Sequence, residues 1–195
     1  MTSAWAFGCS HTAGVGLDYS DSYVNLVAQH YKIEIKNLAV PGGNCYQVEK
    51  NLVEQLQSGR ADFAIMQWPN VFRKTVWTNG RKHYQNIQND GPAFQQLLKA
   101  GEENFYYPWL QTIITCNTLC GLARIPVVNI MIEDVDKQYH TILNHNGITL
   151  HVDQKLPGLT WLMDSAARDG LHHSAICHAQ WAERLIKLID ELTTR

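Results

Sequence analysis

Residues 4–17 read Ala4-Trp5-Ala6-Phe7-Gly8-Cys9-Ser10-His11-Thr12-Ala13-Gly14-Val15-Gly16-Leu17. A short apolar run stops at a glycine, and Ser10 stands just beyond it. With residues 4–7 as a strand, the following turn projects a hydroxyl from the carboxyl edge of a sheet, where open α/β sheets carry their reactive groups. Gly8 relieves crowding as the chain turns, and Gly14 and Gly16 permit unusual backbone angles. An ordinary glycine-rich turn with a capping serine satisfies the same residues. A phosphate cradle is only weakly signalled, because Gly-x-Gly stands here without a following Gly-Lys-Ser/Thr.

Outward from this stretch, apolar runs alternate with helical spacing. Residues 20–31 place Tyr23, Val24, Leu26, Val27 and Tyr31 at helical intervals, with Ser20 or Asp21 available as a cap. Residues 33–40 read as a strand stopped by Pro41-Gly42-Gly43-Asn44. A helix over 46–56 precedes a third strand over 62–67, and a fourth strand, 125–132, follows a long helical stretch over 94–122 with a break expected near Pro108. Residues 175–192 form an amphipathic C-terminal helix. Segments 69–90 and 134–160 show no clear period and are expected to be irregular insertions in a single domain spanning 1–195. The strand–helix alternation predicts a three-layer α/β/α sandwich around a mostly parallel sheet.

Bulk properties exclude several classes. The 195 residues are 45% hydrophobic and 17% charged, which suits a folded domain. A formal net charge of −2 leaves no cationic excess for nucleic acid. No stretch approaches a membrane span, and the N-terminus lacks a signal-peptide pattern, so no membrane partner and a cytoplasmic location are expected. Five cysteines, an odd number with no secretion signal, argue against a disulfide framework. Cys116 and Cys120, at i and i+4, read as buried thiols rather than as half of a metal site. No cofactor or metal is expected.

A second chemistry-bearing segment lies near the end: Asp169-Gly170-Leu171-His172-His173-Ser174. A serine nucleophile needs a base, and the base needs a carboxylate to orient it. Asp169 and His172, three apart on a turn entering a helix, have that spacing. The paired histidines with His178 or His11 would alternatively suit a metal, or a solvated helix cap.

Together, the two segments resemble the first and last blocks of the SGNH/GDSL hydrolase family. Gly8-Cys9-Ser10 with Thr12, Gly14, Gly16 and Leu17 looks like the nucleophile block, and Asp169-Gly170-Leu171-His172 like the Asp-x-x-His block. Between them, Asn37-Leu38-Ala39-Val40-Pro41-Gly42 is similar to the second block, whose glycine supplies an oxyanion amide. The resemblance spans nearly the whole chain apart from 69–110 and 134–160. It implies a flavodoxin-like fold and ester hydrolysis through acyl-Ser10, with His172 as base, Asp169 as its orienting carboxylate, and the Ser10 and Gly42 amides with Asn70 as the oxyanion hole.

There are departures. Cys9 replaces the Asp that usually precedes the nucleophile, and His173 replaces the Pro that often follows the base. The third block, normally Gly-x-Asn-Asp, is here Gln67-Trp68-Pro69-Asn70, so either Asn70 or Gln67 would complete the hole. Cys9 is a rival nucleophile, although neighbours at a strand end point in different directions, so only one can face His172. Trp68, His11 and Arg73 are candidate substrate-binding residues. Arg73, Lys74, Arg81, Lys82 and His83 form a basic patch suited to an anionic substrate or to a solvated loop. Trp77, Tyr84, Tyr106, Tyr107 and Trp109 would line a pocket or simply pack the insertion. The expected substrate is a short-chain or carbohydrate O-acyl ester. The alternatives are an acyltransferase using the same residues, a non-catalytic binding protein on this fold, and a metal-dependent hydrolase using His172 and His173.

Overall fold

The structure is a computed structural model that describes residues 1–71, 73–78, 81–86, 101, 103–131, 135–152 and 172–194. Five parallel strands form the central sheet: β1 (Ser3–Phe7), β2 (Glu34–Asn37), β3 (Phe63–Trp68), β6 (Val127–Met131) and β7 (Leu150–Val152). Their order is β2-β1-β3-β6-β7, a doubly wound, flavodoxin-like arrangement. β1, β3 and β6 are interior strands and are apolar on both faces, as a buried parallel sheet requires.

The period of two divides the core. Trp5, Phe7, Ala64, Met66, Trp68 and Met131 face α3 (Cys45–Ser58), α4 (Glu103–Leu122) and α5 (Lys137–His145). Ala4, Ala6, Phe63, Ile65, Val128 and Ile130 face α2 (Tyr23–Tyr31) and α6 (Ala175–Thr193). This is the predicted three-layer sandwich.

Three long helices begin on side-chain caps. Ser22 accepts from Asn25 N, Asn44 from Gln47 N and Ser174 from Cys177 N. The α2 cap is thus Ser22, while Tyr19–Asp21, which includes both expected caps, forms a 3₁₀ turn. α4 runs through Pro108 instead of breaking there. Proline costs a single backbone bond near the helix start, while Phe105, Trp109, Leu110 and Ile113 bury against the sheet and hold the helix in place.

The segments expected to be irregular carry regular structure. β4 (Arg73–Thr78) and β5 (Arg81–Asn86) pair as an antiparallel hairpin. α5 and β7 occupy part of 134–160, and β7 adds the fifth strand. β7 has only three residues, too short to show a period. No helix among the described residues is long and apolar enough to cross a membrane.

Candidate active site

All five strands run in one direction, so the loops after β1, β2 and β3 share the carboxyl edge of the sheet. Ser10 opens the short helix α1 (Ser10–Ala13) in the first of these loops and is 6% exposed. Cys9 precedes it in extended backbone, and Gly14 ends the turn at φ 73°, returning its amide to the Ser10 and His11 carbonyls.

The Ser10 loop is held by a side chain from the neighbouring strand. Gln67 Oε1 accepts from Cys9 N at 3.0 Å, from the Cys9 thiol at 3.0 Å and from Thr12 Oγ1 at 3.2 Å. Its amide nitrogen donates to the Trp68 carbonyl at 2.8 Å. Gln67 is therefore a structural clamp, with its carbonyl oxygen and one of its two amide hydrogens engaged within the fold. Gly8 makes the clamp possible: a Cβ there would lie 2.1 Å from Thr12 Oγ1 and 2.8 Å from Gln67 Oε1. The Cys9 thiol is buried and tied to Gln67, which argues against its role as a rival nucleophile.

The second loop is tied to the first. Val40 N donates to the Gly8 carbonyl at 3.0 Å, and Asn37 Nδ2 donates to the Thr12 carbonyl at 2.8 Å. Gly42 lies beyond, at φ 71° with open space where a Cβ would stand. Its amide has no partner among the described residues.

The third loop corrects one expectation. Trp68 is wholly buried, and its indole N–H donates to Asn129 Oδ1 at 2.9 Å, so it serves the core and is not exposed to a substrate. The last position of a central strand faces α4 and α5, which sequence position alone did not reveal. Asn70 is half-buried in the turn past β3, and its carbonyl accepts from Arg73 N at 3.0 Å. Arg73 begins β4, half-buried, with Nε and Nη1 enclosed and without hydrogen-bond partners among the described residues. Two of the aromatics pack as structure: Tyr106 stacks on Tyr139 with centroids 4.0 Å apart, and buried Trp109 donates to the Pro69 carbonyl at 3.2 Å. Tyr107 is exposed. The side chains of Lys74, Trp77, Arg81, Lys82, His83 and Tyr84 lie outside the described residues.

The far end of the chain returns to this edge. The His172 ring lies 5.2 Å from the His11 ring, centroid to centroid, and the His173 ring 4.7 Å from it, both edge-on. Asp169, the expected orienting carboxylate, lies outside the described residues. What docks the segment is a buried chain of hydrogen bonds. His178 Nδ1 accepts from Tyr23 N at 3.1 Å, and Tyr23 Oη donates to Thr12 Oγ1 at 2.7 Å. Thr12 then donates to Gln67. Thr12, Tyr23, Gln67 and His178 thus connect α6, α2 and β3 to the Ser10 turn, a role that no spacing in the sequence signals.

Burial sets the electrostatics. His11 is pushed down to about 3 by burial, then by His173, His172, Arg73 and His178. Burial lowers His178 to about 4, with smaller contributions from His173 and His172. Both imidazoles are neutral at working pH. Burial raises the Tyr23 phenol well above its usual range. Among the described residues, no group of three or more His, Cys, Asp or Glu has a metal-holding arrangement. A groove lined by Ile125, Val127, His151 and Glu191 opens at the amino end of β6 and contains none of the candidate residues.

The fold is shared with solved esterases and lipolytic proteins of the G-D-S-L family. Similar solved structures include the psychrotrophic esterase EstA from Pseudoalteromonas sp., at 11% identity and TM-score 0.66, with 100% of both chains covered. A G-D-S-L lipolytic protein from Veillonella parvula matches at 10% identity and TM-score 0.62, covering 98% of this chain and 100% of that one. The acetyl xylan esterase AlAXEase matches at 13% identity and TM-score 0.64, covering 96% and 99%. No protein-family model and no curated protein matches the sequence.

Proposed function

We propose that the chain is a serine ester hydrolase acting through an acyl-Ser10 intermediate. Ser10 Oγ attacks the ester carbonyl, and His172 takes its proton. Asp169 orients the imidazole and stabilises its cation. The carbon–oxygen bond to the leaving alkoxide then breaks as His172 returns the proton to that oxygen. Water, deprotonated by the same imidazole, releases the acid. The Ser10 and Gly42 amides, with Asn70, take the developing oxyanion, and each such donor is worth about 10²–10³ in turnover.

The observation that carries this reading is the return of His172 to the Ser10 turn, its ring 5.2 Å from that of His11. The uncommitted Gly42 amide on the adjoining loop supports it. A short-chain or carbohydrate O-acyl ester is the substrate class in keeping with the esterase and acetyl xylan esterase neighbours.

The test is labelling with a fluorophosphonate; the Pseudoalteromonas esterase is itself inhibited by monoethylphosphonate. We expect the parent to be labelled, and Ser10→Ala and His172→Ala to be unlabelled and inactive on p-nitrophenyl acetate. Equal labelling of Ser10→Ala would place the nucleophile elsewhere.

A further inference from the structure

Beyond Asn37 the chain leaves the β2 ladder, and backbone groups that lose their strand partners need new ones. On the side facing β1 and the Ser10 turn, Leu38 N donates to the Ala6 carbonyl at 2.7 Å, Val40 N to the Gly8 carbonyl at 3.0 Å and Asn37 Nδ2 to the Thr12 carbonyl at 2.8 Å. The loop is fastened to α3 as well. Asn51 Nδ2 donates to the Leu38 carbonyl at 2.8 Å, and Gln47 Nε2 donates to Asn51 Oδ1 at 2.6 Å. The bond from Gln47 occupies the Asn51 amide oxygen and so turns the amide nitrogen towards the loop. Gln47 and Asn51 stand one helical turn apart, and each directly precedes a core residue, Val48 or Leu52, that anchors α3 beneath the sheet.

The apex of the same loop is closed tightly. Gly43 N donates to the Val40 carbonyl at 2.8 Å, and a Cβ on Gly43 would lie 2.7 Å from that oxygen. Gly42, within this turn, is exposed at φ 71°, and its amide meets no acceptor among the described residues. The backbone on either side of Gly42 is held, while its own N–H stays open.

We propose that Asn51, its amide oriented by Gln47, is a positioning residue that sets where the Gly42 N–H stands relative to Ser10. It touches neither substrate nor reacting atoms and acts through the Leu38 carbonyl. Without that bond the loop keeps its attachments to β1 and the Ser10 turn and pivots about them, carrying the Gly42 amide off the place where an oxyanion forms. A misplacement of about 1 Å, caused far from the chemistry, can cost about 10²-fold in rate. An amide donor of this kind acts on the transition state more than on the bound substrate. The inference rests on the acyl-Ser10 reading and adds a residue that lies outside every motif in the sequence.

Two variants separate positioning from stability. Asn51→Asp keeps the shape and the acceptor for Gln47 but, ionised at about pH 8, has no donor for Leu38. Asn51→Leu is its uncharged counterpart. With p-nitrophenyl acetate, we expect both to lower kcat about ten- to a hundredfold while KM stays within about twofold. Inhibition by phenyl trifluoromethyl ketone is measured alongside. Ser10 Oγ bonds to the ketone carbon, its proton passes to His172, and the carbonyl π pair becomes an oxyanion, so the affinity reads the oxyanion hole itself. We expect that affinity to fall in step with kcat/KM. Urea unfolding establishes that each variant is folded under the assay conditions. Unaltered kcat in folded variants, a loss confined to KM, or a ketone affinity that does not move overturns the proposal and leaves the hydrolase reading standing. A parent protein that neither hydrolyses the ester nor takes the ketone overturns that reading, and the proposal with it.

Discussion

At the scale of single residues, the turn after β1 is specified by what fits beside Gly8. Thr12 and Gln67 approach so closely that a methyl group has no room. Gly8→Ala must push the Gln67 clamp away, loosening the three bonds accepted by Oε1. We expect about 1–3 kcal/mol lower stability in urea unfolding, the usual cost of overpacking, together with a larger loss of kcat than of substrate binding. Unaltered kcat would mean that the clamp does not govern where Ser10 points. Residue types pointed to the Ser10 turn and to the histidines that return to it, because hydroxyl, imidazole and glycine carry their chemistry on their faces. They did not disclose Gln67, which looks from sequence like an oxyanion donor and proves to be committed on both ends of its amide. Trp68 failed for a related reason: adjacency to a functional loop says nothing about which face of a strand a side chain takes.

At the scale of elements, α6 is the arm that carries the imidazoles home. Its N-cap, Ser174, is buried and accepts from Cys177 N at 3.4 Å. It stands directly after His172 and His173, so fraying of the first turn displaces them. Ser174→Ala should cost about 1 kcal/mol in stability, as lost caps do, and should lower esterase turnover while the global fold persists. A stability loss with full turnover would show the histidines to be held by something other than the helix start. α3, α6 and three of the four predicted strands were legible within a residue or two because their apolar spacing is sustained, whereas α2 begins at Tyr23 and the helix expected from residue 94 is described from Glu103. The strand predicted over 33–40 is shorter, Glu34–Asn37, because Pro41-Gly42-Gly43 and the loop that holds Gly42 begin sooner. The β4–β5 hairpin was not legible, since Arg73–Thr78 and Arg81–Asn86 are too polar to show a buried face.

At the scale of the whole molecule, two enclosed imidazoles link the carboxyl edge of the sheet to folding. His178 must be neutral at Nδ1 to accept from Tyr23 N. Its folded value of about 4 lies below the ordinary imidazole range of about 6.5, so the unfolded chain takes up the proton first. Stability is therefore full above about pH 6.5 and is lost as pH falls towards about 4; His11 acts in the same direction. His178 alone should contribute about 2 kcal/mol of destabilisation between pH 7 and pH 5, above the range where most carboxylates titrate. Urea midpoints at the two pH values measure it, and His178→Gln, which keeps an acceptor but cannot titrate there, should flatten the response. An unchanged slope in that variant would remove His178 as the cause.

The alternation of apolar runs was enough to determine a doubly wound parallel sheet, because such a sheet must be apolar on both faces and its crossovers must be helical. The same strings placed Ser10 and Gly42 on loops at one edge, since strand direction follows from that topology. Local patterning could not decide which distant groups meet there. The clamp of Gln67 on Cys9 and Thr12 and the relay from His178 through Tyr23 each depend on packing between segments far apart in the chain. Burial and hydrogen-bond partners are properties of the folded surroundings, and only tertiary structure supplies them.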